Sequence, residues 1–165
     1  MSEAPTPGAL ARARAYFEGD QGRTALVFLR LILAGVFLFA AFPKLLDPVT
    51  FARDIDNYRF VPDALIGPIA LMLPVAEVII GIALLSGVFA RGAAVVSGLL
   101  LLGFAAGMVQ AIARGIDLDC GCFGHFAEAQ VSWWTVGRNL TLFVFSICVT
   151  LGPDMPLWPL RRAPS

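Results

Sequence analysis

Four apolar runs dominate the chain, each close to the roughly 20 residues that cross a bilayer as a helix. The first extends from Thr24 to about Phe42 and carries Arg30. The second, Ala64 to Gly87, carries Glu77, and the third, Gly92 to Ala113, has no formal charge. The fourth runs from about Trp133 to Leu151, with Arg138 and Asn139 near its start. This pattern predicts an all-α integral membrane four-helix bundle. Between the first two runs, in Asp47 to Pro62, Phe51, Ile55 and Tyr58 recur at helical spacing opposite Arg53, Asp54 and Asp56. That spacing predicts a short interfacial helix. The organisation is then a polar N-terminal segment (1–23), a membrane domain (24–151) and a C-terminal tail (152–165). Gly98, Gly103 and Gly107 give the third run a small-residue spacing that lets helices pack closely.

Composition supports the membrane reading. Of 165 residues, 58% are apolar and only 15% charged, and mean hydropathy is +0.80. A soluble domain is about half apolar and about a quarter charged. Net charge is zero, with no basic run, so nothing favours nucleic acid. Residues Met1 to Asp20 lack the apolar stretch of a cleavable signal, so the first run is expected to stay as a signal anchor. An even helix number puts both termini on one side. Arg12, Arg14, Arg23, Arg91, Arg161 and Arg162 share that side, against Lys44, Arg53, Arg59, Arg114 and Arg138 on the other. Basic residues concentrate on the cytoplasmic side. The expectation is an inner-membrane protein with cytoplasmic termini and a periplasmic third loop. Trp133 and Trp134 would mark the outer interface and Trp158 the inner one.

That third loop holds the sharpest chemical feature, Asp119-Cys120-Gly121-Cys122-Phe123-Gly124-His125. Two cysteines one residue apart pair only across a tight turn, which Gly121 and Gly124 allow. A structural staple over so short a loop returns little, about 1.6 kcal/mol in the chain-entropy model. A redox pair gains from the same strain, because strained disulfides are labile. His125 would stabilise a thiolate there, whereas Asp117 and Asp119 would oppose it. Cys120, Cys122 and His125 also form a partial ligand set for zinc or copper, short of the four ligands of a structural zinc site. The redox reading is favoured over the staple, and no metal is assigned. Cys148, about 15 Å further along the fourth helix than Arg138 by helical rise, is read as a buried apolar cysteine.

A carboxylate at mid-membrane depth needs a partner or a function. Counting from the cytoplasmic face, Arg30 lies about 9 Å deep and Glu77 about 15 Å. The expected intramembrane pair is therefore Arg30 with Glu77, setting helix register or lining a cavity. Snorkelling of Arg30 to the surface is the alternative. Arg138 and Asn139 fall near the Cys-Gly-Cys loop. Their expected role is to hold it, by capping carbonyls or pairing with an aspartate, ahead of binding a quinone head group or a partner's carboxylate.

Taken in order, GVFLFAAFPKLLDPVTFARDIDNYRFVP, LPVAEVIIGIALLSG, RGIDLDCGCFG and WWTVGRNL resemble the MauE family of methylamine-utilisation membrane proteins, within the DoxX-like group. The resemblance covers about Thr24 to Leu151, and DCGCFG with the downstream Arg-Asn pair is its most specific part. It implies a four-helix membrane bundle that assists maturation of the disulfide-rich small subunit of an amine dehydrogenase, beside a thioredoxin-like partner. Cys120 and Cys122 would be the exchanging pair. Related thiol oxidoreductases pass electrons to quinone, which makes quinone the one cofactor the resemblance raises. The expected function is thiol–disulfide exchange on the outer face with a membrane or periplasmic protein, in contact with the lipid bilayer. Its rival is a non-catalytic accessory subunit whose Cys-Gly-Cys loop braces a docking surface. Metal delivery comes third.

Overall fold

The computed structural model describes residues 19–57, 61–114 and 132–152. Five helices make up this part: α1 Asp20–Leu46, α2 Pro48–Asn57, α3 Asp63–Ser86, α4 Ala90–Ala113 and α5 Trp133–Leu151. Four of them (α1, α3, α4 and α5) are long and apolar enough to cross a membrane. They close into a ring in which α1 packs on α3, α3 on α4, α4 on α5 and α5 back on α1. The chain is an all-α, multi-pass membrane bundle, as the sequence predicts.

The largest departure from expectation is the length of α1. It continues past Phe42 through Pro43 to Leu46. Proline at this point costs one backbone donor but leaves the turn able to close, and the Asp47 N–H donates to the Pro43 carbonyl at 3.0 Å. Asp47 then stops one helix and starts the next. It precedes Pro48, and a residue before proline is steered out of helical geometry. Its carboxylate caps α2, accepting the Thr50 N–H at 3.0 Å and the Thr50 hydroxyl at 2.7 Å. Proline as the first helical residue costs nothing there. The interfacial helix is thus present, but shorter than Asp47 to Pro62. It is also anchored: Phe51 is buried, Ile55 is half-buried, and α2 packs on α3. Tyr58 lies outside the described residues.

At the other end of the bundle, α3 stops at Gly87, whose φ of 75° is a left-handed C-cap, with its N–H on the Ala83 carbonyl. Phe89, at φ 57°, adopts the same unfavourable region without being glycine.

Lipid tails are as apolar as leucine, so interior faces are distinguished by small residues and polar links rather than by hydrophobicity. Between α1 and α3 the close approach is at Gly81, where a Cβ would sit 2.6 Å from Leu38 Cγ. Between α4 and α5 it is at Gly98, where a Cβ would meet the Ser146 hydroxyl at 2.7 Å. Gly103, by contrast, looks into open space on the outside of α4, so only part of the glycine spacing serves packing within the bundle. Phe28, Phe39, Leu71, Met72, Ile79 and Leu99 face outward, as a lipid-facing surface requires. Trp133 and Trp134 are exposed in the first turn of α5, where an interfacial aromatic belt is expected.

Candidate functional site: a buried Lys-Glu pair beside a small cavity

The inner face of α1 follows one stripe at alternating spacings of four and three: Leu26, Arg30, Leu33, Phe37, Ala40, Lys44, all buried. Glu77 lies on the matching stripe of α3 with Ala70, Pro74, Gly81 and Leu84. The two stripes face each other antiparallel. Glu77 is 1% exposed and pairs with Lys44, Nζ to Oε1 at 2.6 Å. The ammonium also lies over two aromatic rings, 5.1 Å from the Phe51 centroid and 5.4 Å from that of Phe104. Cation–π attraction of this kind strengthens when the cation is desolvated. The α2 anchor residue, Phe51, is thereby part of the site.

The expected Arg30–Glu77 pair does not form. Arg30 is buried, and its Nε and Nη2 both donate to the Leu84 carbonyl, at 3.1 and 2.9 Å. Direction explains the difference. Side chains on a helix lean toward its own N-terminus. On antiparallel helices Lys44 and Glu77 therefore lean toward each other, whereas Arg30 leans away from Glu77 toward the far end of α3. Depth alone misses this. Lys44, placed in the outer loop by the sequence reading, is the residue that was missed. Its signal was present in the continued stripe beyond Phe42, and in the fact that Lys44 is the sole lysine among twelve basic residues.

Asn139 and Arg138 both line the interior from the first half of α5. Asn139 is buried, and its amide donates to the Leu101 carbonyl at 2.6 Å, tying α5 to the middle of α4. The carbonyl it bonds belongs to α4, and the loop it was expected to hold lies outside the described residues. Arg138 is exposed and contributes to a cavity of about 40 Å³ between the four long helices. Its lining is mainly apolar, with Phe37, Leu101, Phe104, Met108 and Leu142 among the contributors, and Lys44, Glu77, Thr135, Arg138 and Asn139 supply the polar atoms. Sequence features read as separate, Glu77 in one helix and the Arg-Asn pair in another, therefore meet at one place. Among the described residues, Glu77 Oε2 is the buried side-chain oxygen left without a hydrogen-bond partner.

Cys120, Cys122, Asp117, Asp119 and His125 lie outside the described residues. The segment that carries them joins α4 to α5. Met108 is five residues from the end of α4 and Thr135 two from the start of α5, so the near end of the cavity lies about 3–8 Å along these helices from that connection. Cys148 is a free thiol and half-buried, rather than fully buried as expected.

Residues 22–152 match the family described as methylamine utilisation protein MauE. The chain is 38% identical over 125 residues to the methylamine utilization protein MauE of Paracoccus denitrificans, covering 75% of this chain and 67% of that protein. It is 37% identical over 116 residues to the protein of the same name from Methylorubrum extorquens, covering 70% and 62%. For the Paracoccus versutus protein of that name the identity is 33% over 120 residues, covering 72% and 64%. The chain thus spans about two thirds of the length of these relatives. No solved structure matches it. Most of the chain, including all of the described helices except the first two residues of α1, falls within the matched region, and the protein belongs to the MauE family.

Proposed function

We propose that the protein acts in methylamine utilisation by exchanging thiols and disulfides through Cys120 and Cys122, in support of a disulfide-containing partner. The observation that carries this reading is Cys120-Gly121-Cys122 in the α4–α5 connection of a MauE-family bundle. Either cysteine would attack a partner's disulfide, and the other would resolve the mixed disulfide. Asp119, next to Cys120, and His125, three residues after Cys122, would bias the thiolate in opposite directions. Arg138 and Asn139 act from the head of α5, Asn139 by fixing α5 against α4.

Withdrawal of Lys44 into the ion pair supports cytoplasmic termini and a periplasmic Cys-Gly-Cys segment. It removes one cation from that side, leaving Arg53, Arg59, Arg114 and Arg138 against six arginines on the other. The inner membrane of the cell is the location that fits. Thiol chemistry on that side would meet an oxidising compartment.

The test is trapping. The Cys122→Ser and Cys120→Ser variants are expressed in a methylamine-grown host, and membranes are quenched with acid and alkylated. One single variant is expected to accumulate a reducible mixed disulfide with a periplasmic or membrane protein, and the double serine variant none. Absence of any mixed disulfide from both single variants would overturn the proposal.

A further inference from the structure

Glu77 presents an unusual combination: a side chain 1% exposed, one oxygen engaged by Lys44, the other without a hydrogen-bond partner, and a cavity at its side. A buried carboxylate oxygen left bare is costly, and such groups are almost always satisfied by protein or by ordered water. The cavity can supply the water. At about 40 Å³ it has room for about three molecules. It is far smaller than the roughly 150 Å³ that admits a benzene ring. Its lining is mainly apolar, but Thr135, Arg138 and Asn139 on α5 stand across it from Lys44 and Glu77 and place polar groups where water bound there would need partners.

The cation is equally telling. The sequence uses arginine at eleven basic positions and lysine at one, and that one is in the buried pair. An ammonium can give up a proton where a guanidinium cannot. A pair that served only to fix helix register has no need of a cation that can lose its proton.

We propose that the cavity binds a cluster of about three water molecules that links Glu77 Oε2 to the polar face of α5, making Lys44–Glu77 a proton-exchange site inside the membrane bundle. In one cycle the Nζ–H bond breaks and an Oε1–H bond forms, turning the ion pair into amine and carboxylic acid without a change in net charge. A cluster water then donates a proton to the amine nitrogen and takes up the carboxyl proton, restoring the pair. No oxidant or further reactant is needed, and the inference stands independently of the cysteine chemistry.

Because the sequence has one lysine, protein labelled with 15N-lysine gives one side-chain ammonium signal. The full chain in phospholipid nanodiscs is expected to show exchange of Lys44 ammonium protons with water within seconds. The Ala40→Leu variant, which fills the cavity from α1, is expected to slow that exchange at least tenfold. Where Ala40→Leu fails to fold, Thr135→Val keeps the side-chain shape and removes a polar group from the wall, and the same slowing is expected. Protons on Lys44 that persist for hours in wild-type protein, or a rate unchanged by the cavity variant that folds, would overturn the proposal.

Discussion

Arg30 and Lys44 lie on the same stripe of the same helix, and the bundle treats them in opposite ways. Arg30 spends its planar fork on a backbone carbonyl, holding α1 to α3 near Leu84. Lys44 meets a carboxylate, two aromatic rings and a small cavity. One end of the helix pair is thus a mechanical joint, and the other concentrates the ionisable chemistry of the interior. Burial and charge do not separate the two positions. What each cation is aimed at does.

The sharpest way to break that comparison is to strip the lysine of its partner. Glu77→Ala leaves a buried ammonium unpaired and is expected to cost about 3–5 kcal/mol, read as loss of the folded fraction in detergent unfolding. The double replacement Lys44→Met with Glu77→Leu removes both charges. It is expected to regain most of that stability, since apolar substitutes for a buried pair are often neutral or better. A double variant as unstable as the single one would show that the pair has a structural role like that of Arg30. At the other end, Arg30→Ala should cost about 1–2 kcal/mol in the same assay, the scale of hydrogen bonds between membrane helices. Arg30→Lys should lose part of this, because one ammonium cannot reproduce the two-point contact.

The smallest effect is expected at Asp47, outside both joints. Its N-capping hydrogen bond from the Thr50 N–H, then that from the Thr50 hydroxyl, holds the carboxyl below the usual carboxylate range. A lowered pKa in the folded state means that the cap contributes fully above the ordinary carboxylate pKa. The contribution is lost as pH falls through the lowered value. The protection of the Thr50 amide, its exchange rate measured against the intrinsic rate at the same pH, should fall on that acidification, and in Asp47→Ala at neutral pH. Protection insensitive to both would remove the cap from the account of how α2 is held.

Much of this architecture was legible in the residue pattern. The bounds of α5 agree at Trp133 and Leu151, and α3 and α4 begin within two residues of their expected starts. Those helices are bounded by polar or glycine-rich positions that the pattern displays. α1 was cut short because Pro43 and Lys44 read as an exit from the membrane. Tertiary contact overrides that local signal by giving the lysine a buried carboxylate. The site was legible in its members more than in its pairings. Glu77, Arg138 and Asn139 each stood out as polar groups in apolar runs. Composition carries no direction, however, and the lean of side chains on antiparallel helices decided which cation Glu77 meets. For Cys120, Cys122, Asp119 and His125 the sequence remains the whole basis of the reading.

The position of the lone lysine has a practical corollary. Lys44 is 4% exposed and no other lysine occurs in the sequence, so the folded bundle offers amine-directed reagents no lysine side chain. A cavity of about 40 Å³ is too small for an activated ester. Acylation of Lys44 is therefore a chemical clock for opening of the helix bundle, silent while α1 and α3 stay together and running only when they part.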